Sequence, residues 1–187
     1  FLAGYDHSNE AGLMHIANHH IAPGMKFWTW GTGPQNKAWE RILTDEDGQY
    51  VELMVGTYSD NQPDYSWLWP YETKTAVQWW YPIRGIGGAK NANKDAAVHL
   101  ELKDDGKVEM GFYTTGVFEG AKIVLTAGEK TVFEDTIDVA PDMPFYHELT
   151  VSGDIKETEL EASLYDSDNV KLIAYKPIDR TGWDKLE

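Results

Sequence analysis

Over residues 96–176 the chain alternates apolar and polar positions in short runs, each closed by turn-forming residues. Alternation with a period of two marks a half-buried strand, because successive side chains point to opposite faces. The pattern predicts strands over 97–103, 107–114, 121–127, 131–139, 145–152, 157–165 and 170–175. Asp104-Asp105-Gly106, Gly128-Glu129 and Asp166-Ser167-Asp168-Asn169 punctuate them, and such residues suit tight reversals.

The pattern over residues 1–84 is different. A strand is predicted over 13–19, with His15, Ala17 and His19 on one face, and another over 26–32, with Trp28 and Trp30 together. Residues 36–43 suit two helical turns, with Asn36 as N-cap and Trp39, Ile42 and Leu43 on one side. A strand over 50–58 carries the single carboxylate Glu52, with Val51, Leu53 and Val55 on the core face. A polar loop over 59–65 follows, then Trp67 and Trp69 on a loop, then a last strand ending Trp79-Trp80-Tyr81-Pro82. Of the last two Trp, at least one is expected in the core. Residues 85–95, rich in Gly, Ala, Asn and Lys without periodicity, read as a linker, and 177–187 as an exit linker.

Composition narrows the function. The net charge of −15, with no Lys/Arg cluster, argues against nucleic acid, which needs a basic patch. It disfavours an anionic membrane surface for the same reason, and no apolar run reaches spanning length. With no cysteine, disulfides, thiolate metal sites and Cys nucleophiles are excluded. That absence does not fix the compartment; a periplasmic or extracellular setting is the expectation. No signal peptide precedes Phe1-Leu2-Ala3-Gly4, and the chain is expected to be part of a longer protein. Residues 1–84 hold seven of the eight Trp and 15 of the 24 aromatics, whereas residues 85–187 hold 21 acids against 11 bases. The ligand is therefore expected on the first part.

Aromatic rings beside a carboxylate suit sugars, since rings offer flat apolar faces and a carboxylate binds hydroxyls or moves a proton. Glu52 is the sharpest candidate, as a base, as a hydrogen-bonding group or as a plain surface residue. Trp67 and Trp69 are candidate stacking platforms, and Trp28 and Trp30 a second pair, with a packed role as the alternative. His15 and His19 are candidate substrate contacts. Four residues apart on a strand they lie roughly 13 Å from each other, too far to share an ion, so no metal is expected there, and no cofactor motif is present. The Gly31-to-Pro34 and Gly85-to-Gly88 stretches lack the patterns of phosphate or dinucleotide loops. A glycosidase would pair Glu52 with a second carboxylate, for which Asp60, Asp64 and Glu72 are available.

Tyr50-Val51-Glu52-Leu53-Met54, Gln62-Pro63-Asp64, Leu68 to Glu72 and Trp79 to Pro82 resemble the C-terminal end of a galactose-mutarotase-like β-supersandwich. His15-Ile16-Ala17-Asn18 and Lys26-Phe27-Trp28-Thr29-Trp30-Gly31 also fit. The stretch also resembles the bacterial DUF5107 domain, often found upstream of tetratricopeptide repeats in large carbohydrate-linked proteins. The resemblance implies that Glu52, ahead of Pro63-Asp64, is the base taking the anomeric hydroxyl proton. It implies His19, or a neighbouring His, as the acid, Asp64 as a substrate contact, and Glu72 as structural.

The expected architecture is all-β. Residues 1–84 form the last third of a supersandwich, and residues 96–176 a seven-stranded immunoglobulin-like sandwich. The expected function is carbohydrate recognition or processing as part of a larger bacterial protein, glycoside-hydrolase-associated or mutarotase-like if active. The alternatives are a non-catalytic glycan-binding module and a structural spacer. Open strand edges imply association with a missing N-terminal part or a second copy.

Overall fold

The computed structural model of the protein describes residues 1–49, 51–57, 66–151 and 155–179. It is an all-β chain with one α-helix among the described residues. No helix of the described residues is long and apolar enough to cross a membrane. The chain divides into two compact units: Phe1–Gly4 with Leu13–Trp80, and Tyr5–Gly12 with Tyr81–Glu187. The strands β1 (Leu2–Asp6), β2 (Ala11–Ala17) and β5 (Gln78–Arg84) hydrogen-bond in the order β1-β2-β5.

In the first unit, β3 (Lys26–Thr29) and β4 (Val51–Met54) form a two-stranded antiparallel ribbon, in register Lys26 to Met54 and Trp28 to Glu52. Between them lies α1 (Pro34–Leu43). Several expected bounds change: 13–19 shifts to Ala11–Ala17, 26–32 shortens to Lys26–Thr29, and 50–58 shortens to Val51–Met54. The helix is capped by Gly33 rather than Asn36, and Pro34 takes its first turn. Pro is preorganised there and its missing N–H costs nothing, since that donor has no intrahelical partner. No residue of α1 is buried, and Val51, expected in the core, is 47% exposed. A two-stranded ribbon has little apolar surface to fold against, so its alternation sets the direction of side chains without burying them.

The second unit is a sandwich. One sheet has the order β10-β9-β12-β13, from β9 (Phe118–Ala127), β10 (Lys130–Val139), β12 (Leu160–Tyr165) and β13 (Lys171–Tyr175). The other has the order β11-β8-β7-β6, from β6 (Asn91–Ala92), β7 (Ala96–Leu102), β8 (Lys107–Thr114) and β11 (Phe145–Thr150). All seven strands anticipated from the alternation are present, with a single 3-10 turn (Glu157–Glu159) at the start of the sixth. Every second residue faces inward: Ala96, Val98 and Leu100 on β7, Val108, Met110 and Phe112 on β8, Ala121, Ile123 and Leu125 on β9, and Leu160, Ala162 and Leu164 on β12. Burying side chains of this size contributes about 1.5–3 kcal/mol each.

The stretch 85–95, expected as a linker, is built into this unit. It supplies β6 and the fully buried Ile86. Asn91 Nδ2 donates to the Ala174 carbonyl at 2.8 Å, and Asn93 Nδ2 to the Leu172 carbonyl at 2.7 Å. Asn93 Oδ1 also accepts from the backbone N–H groups of Asp95 and Ala96. Two asparagines thus join the β6 edge of one sheet to β13 of the other. The low hydrophobicity that suggests a linker reflects polar side chains serving as backbone partners.

Candidate functional site

The residues singled out on the first unit fall into three environments. On the ribbon, Glu52 stands directly across from Trp28, and directly opposed residues have Cβ atoms about 5 Å apart. Trp28 meets Trp30 edge-on at 6.1 Å, and Trp30 stacks on Trp39 of α1 at 5.2 Å between ring centroids. Trp28 remains 47% exposed. A carboxylate and an open indole thus sit side by side, and Trp39 joins a pair that the alternation alone had identified.

Trp67 and Trp69 lie outside regular structure and are 78% and 70% exposed, with Tyr71 fully exposed beside them. Their segment is nonetheless defined. The Trp69 backbone N–H donates to Glu72 Oε2 at 2.8 Å, and the Glu72 N–H returns to the Trp69 carbonyl at 2.9 Å. Tyr71 takes a left-handed conformation, φ 68°. Glu72 therefore acts as a turn clamp.

The histidines separate. His15 is fully buried on β2, its Nε2 3.2 Å from Gln78 Oε1 and its ring 4.4 Å from Trp80. Burial lowers its pKa, outweighing the Gln78 hydrogen bond. Trp79 and Trp80, of which one was expected inside, are 41% and 43% exposed. His19 lies beyond the end of β2, exposed, its ring 3.9 Å from that of His20. Asp64, and Asp60 and Pro63 with it, lie outside the described residues.

A second constellation belongs wholly to the sandwich. On β7 the outward positions are Ala97, His99 and Glu101; on β8 they are Glu109, Gly111 and Tyr113. The register pairs Glu101 with Glu109 and His99 with Gly111. Two carboxylates directly opposite repel, and Lys103 answers them: its Nζ is 3.3 Å from Glu101 Oε2 and 3.1 Å from Glu109 Oε2. Burial pushes the Glu101 carboxyl up, but the Lys103 hydrogen bond and the charges of Lys90, Lys103 and His99 outweigh it and hold it below its usual range. The Glu109 hydrogen bond in turn raises Lys103 against its partial desolvation.

His99 points outward from the sheet yet is only 4% exposed. The segment around Ile86 to Gly88 covers it. Gly111 admits this cover, since a Cβ there would fall 2.5 Å from the Ile86 carbonyl oxygen. At Gly87, φ 78°, a Cβ would touch the His99 ring at 3.0 Å. His99 Nδ1 lies 2.6 Å from the Gly88 carbonyl oxygen, whereas its buried Nε2 has no hydrogen-bond partner among the described residues. That nitrogen faces Glu109 Oε2 at 3.6 Å and Glu101 Oε2 at 3.8 Å. Tyr5, His7, Glu10 and Tyr146 complete a cleft of ≈ 300 Å³ over these groups, and the Tyr5 hydroxyl accepts from the Gly87 N–H at 3.3 Å.

Reading the sequence for aromatic clusters passes over this site. Its signal lies in the hairpin register: once Asp104-Asp105-Gly106 is the turn, outward His99 and Glu101 must meet outward Glu109.

Two family models match the chain. One, a domain of unknown function (DUF5107), matches residues 1–83, and the other, the second domain of the YphG-like protein, matches residues 91–175. No solved structure matches.

Proposed function

With residues 1–83 a DUF5107-type domain followed over residues 91–175 by a YphG-like second domain, we propose that the chain recognises carbohydrate through the aromatic surface of its first unit. The supporting observation is the exposure of Trp67 and Trp69, 78% and 70%, with Trp69 opening a turn that Glu72 closes. An indole left in water forgoes about 2–3 kcal/mol of burial. Two exposed indoles so close in the chain make sense when another flat, partly apolar surface comes to lie on them. Sugar rings are such surfaces, with C–H faces to stack and hydroxyl rims to hydrogen-bond. On the ribbon, Glu52 beside Trp28 offers a carboxylate for sugar hydroxyls at a separate aromatic surface, and in a processing enzyme it is the proton acceptor.

The test is a glycan-binding screen on the full chain, read by Trp fluorescence. Saturable binding should weaken by at least about tenfold in Trp67→Ala or Trp69→Ala, the loss expected when one stacking partner is removed. Glu52→Gln should spare binding if Glu52 only moves a proton, and weaken it if Glu52 holds hydroxyls. A folded chain that binds no glycan in the screen, or binds one equally well without both indoles, sinks the proposal.

A second reading is favoured by a different observation. Phe27, Val51 and Met54 on the ribbon are 52%, 47% and 40% exposed, and Ile42 on α1 is 67% exposed. Exposed apolar side chains on an exposed ribbon suit a second copy of the chain. Sedimentation across a concentration series separates the readings: a monomer at all concentrations removes the second.

A further inference from the structure

We infer that His99, Glu101 and Glu109 form a site for a divalent transition-metal cation, with Zn²⁺ and Mn²⁺ as the ions best matched to one imidazole nitrogen and two carboxylates. This inference concerns the second unit and is independent of sugar binding by the first.

Three ligand atoms, one from each residue, lie within 4.8 Å of one another. Acidic residues gather on many surfaces without binding anything, so the carboxylates alone would carry no argument. The histidine carries it. His99 is 4% exposed, and its Nε2 is buried with no hydrogen-bond partner while aimed at both carboxylates. A polar atom left in that state costs about 1–3 kcal/mol. The other ring nitrogen accounts for the tautomer. Nδ1 sits 2.6 Å from the Gly88 carbonyl oxygen, which accepts only, so Nδ1 carries the proton. With Nε2 unprotonated, its lone pair faces two negative oxygens, and a bound cation would lie between them.

This is how metal-bound imidazoles are held: the distal N–H donates to a backbone carbonyl, fixing ring orientation and raising basicity at the ligating nitrogen. The spacing also fits. Ligands about 2.1 Å from a tetrahedral Zn²⁺ stand roughly 3.4 Å apart, against the 3.6 and 3.8 Å between Nε2 and the two carboxylate oxygens. All three ligand atoms lie within 4.8 Å of one another, so a bound ion would draw together two glutamates whose side chains are 37% and 21% exposed. The remaining coordination positions face the cleft.

The Lys103 ammonium now supplies the positive charge, bridging both carboxylates. It sits at the rim, 38% exposed, on a flexible stem, and Nε2 remains without a hydrogen-bond partner among the described residues. It therefore acts as a competitor that a cation displaces, and it weakens the site relative to what three ligands alone would give.

The experiment is calorimetric titration of the chelator-treated full chain with ZnCl₂ and, separately, MnCl₂. One site per chain is expected. His99→Gln and Glu109→Gln should each weaken it by about a hundredfold, at or above what loss of an outer-shell partner costs. Lys103→Gln, a rim substitution that leaves the fold intact, should tighten it by about tenfold, the effect of removing one competing charge at close range. His19→Ala combined with His20→Ala should leave this site unchanged and remove only adventitious zinc at that exposed pair. If no saturable binding occurs, the inference is wrong and the cluster is a closed ion-pair network. Binding that is indifferent to Glu109→Gln, or that Lys103→Gln fails to strengthen, overturns it equally.

Discussion

Tyr81 illustrates how one side chain is fixed by what surrounds it. It lies on β5 next to the two exposed tryptophans, yet is only 8% exposed. Its hydroxyl reaches two backbone carbonyls, Asn93 at 2.7 Å and Ala96 at 3.2 Å, and its ring lies nearly parallel to that of Tyr113 at 6.2 Å. Burial, with smaller contributions from the charges of Tyr113 and Asp95, pushes its pKa well above the ordinary tyrosine range. A group whose folded pKa is raised contributes stability that is fully present below its unfolded value, about 10, and lost as pH rises toward the folded one. Denaturant midpoints should therefore fall steeply as pH rises above about 10. In Tyr81→Phe, which lacks the ionisable group, they should start lower by about 1 kcal/mol for the lost hydrogen bond and decline less steeply. Parallel declines in the two proteins would show that Tyr81 does not govern this limb.

At the level of elements, the sandwich was legible almost strand by strand, because burial on one face forces a period-two alternation that the sequence must carry. β8 is the clearest case: Val108, Met110 and Phe112 inward, Glu109 and Gly111 outward. The first unit was less legible for the converse reason. β3 and β4 pair only with each other, so Val51 alternates correctly but meets no core. Gly33 displaced Asn36 as helix cap because Pro34 fixed the helix start two residues earlier. Of the candidate site residues, Glu52, Trp28 and Trp30 do come together, whereas His15 is sealed inside and His19 falls off the strand. The His99 cluster was hidden because cross-strand register, not spacing along the chain, assembles it.

The cover over that cluster rests on one missing side chain. A Cβ at Gly111 would fall 2.5 Å from the Ile86 carbonyl oxygen and 2.9 Å from Ile86 Cα, and backbone cannot swing aside as a long side chain can. Gly111→Ala should cost about 1–3 kcal/mol, as overpacking does. It should also raise hydrogen exchange at Gly87 and Gly88 above that of β8 itself. Uniform exchange along both segments would mean that Ile86 does not rest on β8 as a separate layer.

For the molecule as a whole, the contrast in burial between the two units has a thermodynamic consequence. The sandwich buries a continuous cluster from Ala96 to Ile173. Among the described residues of the first unit, burial is confined to Met14, His15, Ala22 and Gly24, while seven tryptophans belong to its stretch of chain. Stability scales with buried apolar surface, and a two-stranded ribbon is marginal by itself. The two units should therefore not unfold as one. In urea, Trp fluorescence follows the first unit, because only Trp183 lies elsewhere in the chain. Far-UV circular dichroism is weighted to the strands of the sandwich. The fluorescence transition should precede the dichroism transition, and non-coincidence of two probes is the standard sign that a two-state description fails. A bound glycan should move the first transition toward the second, whereas zinc at His99 should shift the second alone, because a ligand stabilises only the unit that folds to form its site. Coincident transitions that both ligands move together would show one cooperative body, and each site would then have to be considered across the whole chain.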